Sequence, residues 1–242
     1  GGGAGTGAAT TADDAADDVV PRDRGAFAWI IFCVLGVGVL LPWNAFLSAY
    51  DYFHALYPTF PYEFVLALAY NYPGLLVLLL SIKFGPRFSF TSRIIAGLVV
   101  VLLVLCAVPP VTLLVENPSV ALWATIGGVF VCGFAAAAMF GAVLGLASLF
   151  PPRYTTAVMS GNGWAGVIVI SLRIATKAAF AHLGGMRAAE LSSIVFFALS
   201  AFIILLCIVF FFLLLRLPVA RFYMRDKRLQ RERERRRRRA SA

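Results

Sequence analysis

The sequence predicts an all-α integral membrane protein, a bundle of six transmembrane helices, and three observations carry that prediction. Of the 242 residues, 61% are hydrophobic, against roughly half in a soluble domain, and the mean hydropathy is +0.86. The apolar residues arrive in blocks rather than with the 3.6-residue period of a helix that is half exposed to water. Lys and Arg gather in alternate connections between those blocks, the asymmetry expected of a multi-pass chain.

The elements follow in order. Residues 1–26 are Gly, Ala and Thr with Asp13, Asp14, Asp17, Asp18 and Asp23. They hold too little apolar surface to fold and no basic start of a signal peptide, so a disordered tail is expected. The chain begins with Gly rather than Met and is expected to be processed, trimmed or part of a longer protein. Apolar blocks fall at about 27–49, 64–84, 94–115, 120–150, 155–181 and 192–215, each meeting the roughly 20 residues that a helix needs to cross the hydrocarbon. The fourth is long for one span and is expected to tilt or run past the membrane surface.

Six spans put both ends on one side, and the cations choose it. Arg22 and Arg24 precede the first span, Lys83, Arg87 and Arg93 surround the second connection, and Arg153 lies in the fourth. Twelve cations follow between Arg216 and Arg239. The other connections carry Asp51, Glu63 and Glu116, with Arg187 as the lone cation of 182–191. Both termini are therefore expected in the cytoplasm. The basic segment 216–242 reads as a solvated cytoplasmic loop that fixes topology, with attraction to anionic lipid as a second role. Nucleic acid is not an expected partner. Arg238-Arg239-Ala240-Ser241 has the form of a basophilic kinase site at Ser241, where phosphate would weaken a lipid contact.

Within the spans, Pro42, Pro73 and Pro109-Pro110 are expected to interrupt the first three helices. Gly133, Ala137, Gly141 and Gly145 recur every four residues on the fourth span, a smooth stripe for another backbone, and Gly161, Ala165 and Gly166 begin a similar one on the fifth. Cys33, Cys106, Cys132 and Cys207 lie inside apolar blocks without metal-ligand spacing and are read as small buried hydrophobes. No metal or other cofactor is expected.

Polar groups at membrane depth are costly, so each is a candidate for function. Trp43 and Asn44 follow Pro42 on the first span; Asn71 lies on the second and Asn162 on the fifth. Three amides could converge on one hydrogen-bonding ligand, or tie helices together at roughly 0.6 kcal/mol apiece. Arg173 and Lys177 share a face of the fifth span. Lys177 is near enough to the end to snorkel, whereas Arg173 is deeper and no acid within the spans is placed to neutralise it. Arg173 therefore faces a wet cavity, or takes a partner from outside this segment. No Asp or Glu lies well inside a span. Proton- and sodium-coupled carriers keep such groups there, so movement down a gradient is favoured. With no P-loop, Ser-His-Asp set or metal-ligand spacing, no enzyme is expected.

Several segments, read in order, resemble the N-terminal half of an equilibrative nucleoside transporter. They are LLPWNAF on the first span, RIIAGL at the start of the third, GAVLGLASLFPPRYTTAVMSGNGWAG from the fourth into the fifth, SLRIATKAAF along the fifth, and RLPVARFY after the sixth. The resemblance covers roughly residues 27–225. It implies half of a fold similar to the major facilitator superfamily, taken from a carrier of about eleven spans. Such carriers move nucleosides, and in some cases nucleobases, by facilitated diffusion. By resemblance, Trp43 and Leu47 match positions lining the substrate path, Phe140 stands where many members carry a Gln that contacts the base, and Arg93 matches a family arginine. Asn44, Asn71, Asn162 and Arg173 complete the expected substrate-binding set. Pro42, Arg93, Gly141, Gly145, Gly161 and Gly163 are expected to shape or gate the path. Phe140 would hold a base by stacking rather than by an amide. The family's ribose-holding Asp and Arg come from a C-terminal half, the expected partner of this one. Alternatives are a membrane scaffold that no longer transports, a carrier of organic cations, or a homodimer of six-span halves. The plasma membrane is the expected location, ahead of an organelle.

Overall fold

The computed structural model describes residues 26–56, 58, 60–84, 89–115, 117–218 and 220–223. The expected N-terminal tail up to Gly25, Arg87 and the basic tail from Met224 with Ser241 lie outside the described residues. The order is α1 Phe27–Ser48, α2 Tyr50–Leu56, α3 Tyr62–Phe84, α4 Phe90–Leu114, α5 Pro118–Ala147, α6 Pro152–Phe180 and α7 Gly185–Arg216. All are α-helices, with one 3₁₀ turn, Ala181–Leu183, between α6 and α7. Among the described residues, five stretches are long and apolar enough to cross a membrane: α1 carried on through α2, α4, α5, α6 carried into its 3₁₀ turn, and α7. At 23 residues α3 also has the length of a span. The molecule is an all-α membrane bundle.

The ends of the helices follow local chemistry. Pro151-Pro152 opens α6, and α5 opens with Pro118 behind an Asn117 cap whose side chain accepts from the Ser119 N–H at 3.1 Å. Between α6 and α7 the chain reverses through Gly184 and Gly185 at φ 64° and 61°, backbone that residues with a Cβ rarely adopt.

The expected interruptions at proline do not occur. Pro42, Pro73, Pro109 and Pro110 all lie inside continuous helices. A bundle tolerates a lost backbone donor because packing with its neighbours holds the helix. Near the proline pair, the Thr112 hydroxyl donates towards the carbonyls of Val108 (3.2 Å) and Pro109 (2.9 Å) and accepts from the Tyr52 hydroxyl at 3.1 Å. That contact ties α2 to the end of α4.

Packing centres on α1, which lies between α6, α7 and α5, while α5 carries α3 and α4 on its other sides. Glycine sets the closest approaches. A Cβ on Gly161 would land on the carbonyl oxygen of Cys33, and one on Gly36 would land on that of Val158, so α1 and α6 meet backbone to backbone. The α5 stripe is consumed in the same way. Gly133 lies on the Tyr70 carbonyl, Ala137 against Gly74, Gly141 beside the Arg93 guanidinium and Gly145 under the Phe90 ring. These glycines are packing surfaces.

Both ends of the bundle carry aromatic clusters. At one, Phe27 meets Phe210, and Phe150 touches Phe32, Tyr154 and Tyr223. At the other, the Phe53 ring stacks on Tyr62 at 4.6 Å, and the Tyr52–Thr112 bond and an ion pair between Lys177 and Asp51 set that end apart. Of the four cysteines, Cys132 and Cys207 are buried and Cys33 partly so, but Cys106 is exposed, which corrects the expectation that all four are buried. On a membrane helix an outward thiol costs little, since lipid and core are both apolar.

Candidate functional site

Trp43 is placed by two contacts made elsewhere. Gly133 of α5 admits the backbone of α3 at Tyr70, and the Tyr70 ring then lies against the Trp43 indole with centroids 5.0 Å apart and planes at 36°. Offset aromatic pairs of this kind add about 0.5–1.5 kcal/mol beyond burial. Trp43 is half-buried, and Leu47, one turn along the same face of α1, is 43% exposed. Sequence reasoning missed Tyr70. The aromatic residues of AYNYPG were its available signal, since a ring at membrane depth needs an apolar or aromatic partner.

The three amides neither meet nor tie helices together. Asn44 donates to the carbonyl of Leu40 at 3.0 Å and Asn71 to that of Ala67 at 2.9 Å, each four residues back in its own helix. Such back-bonding satisfies the NH₂ group locally and leaves the carbonyl oxygen for a neighbour or a ligand. The Asn44 oxygen faces α6, where a Cβ on Gly166 would stand 3.9 Å away. Asn71 is exposed in an open groove of about 450 Å³ with Phe64, Ala67, Leu68, Tyr72 and Leu75. The side-chain oxygen of Asn162 is buried without a hydrogen bond, the costly state of a polar group away from water. Trp43 and Asn44 thus stand together on α1, while Asn71 and Asn162 occupy separate surroundings.

Arg93 and Phe140 belong to one neighbourhood. The Arg93 guanidinium crosses from α4 to donate to the Ala138 carbonyl at 3.1 Å, and it stands 3.5 Å from a Cβ built on Gly141. Phe140, half-buried, lies between those two positions in sequence. Met139 beside it packs on Gly97, where an added Cβ would stand 2.7 Å from that of Met139. Gly161 is consumed by the contact with α1, but Gly163 is exposed with nothing within 4 Å of an added Cβ. Gly163 therefore has no packing role among the described residues. Pro42 is buried.

Arg173 lines a cleft with Asp51, Tyr52 and Lys177, in line with one of the two placements expected for it. Although it is only 6% exposed, it is not isolated. One terminal nitrogen donates to the Ser193 hydroxyl at 3.3 Å, and its guanidinium carbon lies 5.3 Å from the centre of the Phe196 ring, a cation–π contact. Asp51, just beyond α1, is within electrostatic reach. Lys177 pairs with that same Asp51 instead of reaching freely to the interface. Arg173 therefore belongs to the α2 end of the bundle, with α7.

Comparison with known proteins agrees with this arrangement. The chain matches the family model for nucleoside transporters over residues 126–241. It is 35% identical over 227 residues to an equilibrative nucleotide transporter 1 of Arabidopsis thaliana, covering 91% of this chain and 50% of that protein. It is 31% identical over 213 residues to an equilibrative nucleoside transporter 4 of Homo sapiens, covering 87% of this chain and 39% of that protein. With the equilibrative nucleoside transporter 3 of Rattus norvegicus it shares 30% identity over 229 residues, covering 85% and 46%. The chain spans about half the length of the curated relatives it matches. Over most of its length, this helical membrane bundle belongs to the equilibrative nucleoside transporter family.

Proposed function

We propose that this chain supplies the N-terminal half of a carrier that moves nucleosides, and nucleobases with them, down their gradients. The observation that carries the reading is family membership over most of the chain, joined to a half-buried tryptophan whose ring lies 5.0 Å from that of Tyr70, with Asn44 next to it in sequence. An indole presents a flat face to a base, and the amide oxygen of the next residue, which faces α6, can accept from a substrate donor on that side. Phe140 adds a second ring where an amide would otherwise read the base edge. In this reading Leu47 lines the path, and Arg93, holding α4 to α5 next to Gly141, fixes the wall opposite. Asn71 and Asn162 reach substrate once a second half closes over their helices, and that half supplies the remaining polar contacts.

The same reading sets the topology. Both ends of the chain face the cytoplasm, the side on which Arg22, Arg24, Arg93, Arg153 and the cations after α7 fall. The basic segment after Arg216 holds anionic headgroups, at about 1 kcal/mol per cation near the surface, and phosphate on Ser241 weakens that hold. The plasma membrane is the proposed location.

The test is uptake of labelled adenosine, uridine and adenine by the full-length protein in proteoliposomes without an ion gradient. Saturable uptake that falls about tenfold in Trp43→Ala, roughly the 1.4 kcal/mol of a lost stacking face, supports the reading. Indifference to all three compounds would sink it.

A further inference from the structure

We propose that the cleft at the α2 end of the bundle binds an oxyanion, a phosphate or carboxylate group, on the guanidinium of Arg173. The cleft is separate from the Trp43 face and holds about 300 Å³ between Asp51, Tyr52, Arg173, Lys177, Ala189 and Ser192. Its floor is Arg173, 6% exposed, whose Nε is buried and has no hydrogen bond. A guanidinium carries five N–H donors in a planar fork that fits two oxygens of one anion. Here Ser193 takes one of them, and the Phe196 ring occupies a face rather than the donor edge. The Nε edge is thus a buried charged donor without a partner, a state that costs more than an ordinary lost bond.

The surroundings complete a site. Lys177, one turn beyond Arg173 on the same face of α6, brings a second cation to the rim. Ala188 and Ala189 of α7 leave the space unfilled, and Ser192 adds a hydroxyl. The competing acids are Asp51, which lines the cleft, and Glu190 on α7 near Tyr52. Asp51 is paired with Lys177, but the two side chains are 60% and 49% exposed. Exposed ion pairs contribute little to stability. An arriving oxyanion can therefore take both cations while Asp51 turns to water, which makes the site an ion exchange at the mouth of the bundle. Nothing in this depends on whether the protein transports nucleosides.

Binding of ³²P-labelled inorganic phosphate to the full-length protein in phosphatidylcholine nanodiscs, against chloride at matched ionic strength, tests the proposal. Saturable binding is expected. It should be lost in Arg173→Gln, weakened about fivefold in Lys177→Gln and tightened about fivefold in Asp51→Asn, as removal of one attractive or one repulsive charge requires. The last two changes lie at the exposed rim and keep the protein folded if Arg173→Gln does not. Competition by AMP identifies a soluble phosphate ester as occupant. Loss of phosphate binding when phosphatidylglycerol is added to the nanodisc identifies a lipid headgroup. Binding that is absent, or identical in wild type, Lys177→Gln and Asp51→Asn, overturns the proposal.

Discussion

At the scale of single residues, the useful distinction is between glycines that touch backbone and glycines that touch nothing. Gly161 meets the Cys33 carbonyl, whereas Gly163, two positions on, has open space. The two read alike in the string SGNGWAG, because a sequence does not say which side of a helix faces a neighbour. Gly161→Ala must push α1 and α6 apart, at about 1–3 kcal/mol, and should lower the thermal unfolding midpoint in detergent. Gly163→Ala should leave that midpoint within error, since isolated surface changes stay within about 0.5 kcal/mol. Any loss of transport in Gly163→Ala would then report on substrate or on a partner segment outside the described residues. The amides carry a similar lesson. Their presence at membrane depth was legible, but their bonds to Leu40 and Ala67 were not, because i−4 back-bonding is available to any helical Asn. Asp51 went unrecognised as the partner of Lys177 for a plainer reason, since 126 positions separate them in sequence.

At the scale of elements, what was legible is what the bilayer dictates. A span must hide about 20 residues from water, so the long helices are written as apolar blocks, and α1 at Phe27–Ser48 stands almost where block 27–49 put it. The short helix α2, with its mixed YDYFHAL sequence, has no such imperative and was read as a connection. The prolines were misjudged as breaks because a lone helix has no neighbours to hold it, while a bundle holds such a helix by close packing. Between elements, Gly145 sits under the Phe90 ring, with an added Cβ 2.6 Å from the nearest ring carbon. Because a ring at a helix start can tilt away, Gly145→Ala should cost about 1 kcal/mol, less than Gly161→Ala. The ranking of the two by thermal midpoint checks whether backbone contacts dominate this bundle. Removing the Tyr70 ring in Tyr70→Ala should reduce transport without changing surface expression, because Trp43 loses the contact that orients it. Tyr70→Phe should keep most of it.

At the scale of the whole molecule, one end of the bundle is built around Asp51, Lys177 and Arg173 and the opposite end holds the Phe150 cluster; the proposed topology puts the Phe150 end in the cytoplasm. Epitope tags before Phe27 and after Tyr223 should both be protected in intact cells and exposed after permeabilisation, while a tag in the 57–61 connection should be open from outside. That the chain matches only about half the length of its relatives was legible through resemblance alone, since composition says nothing about residues outside the chain. The central claim is that this unit is half of an equilibrative carrier, and countertransport tests it most directly. Full-length protein in proteoliposomes is preloaded with unlabelled uridine, with no ion gradient, and entry of labelled uridine is followed. A carrier that alternates its access must show faster labelled entry into preloaded vesicles than into empty ones, and the account predicts that acceleration, with its loss in Trp43→Ala. Equal entry into loaded and empty vesicles, or entry that requires a proton or sodium gradient, would contradict it.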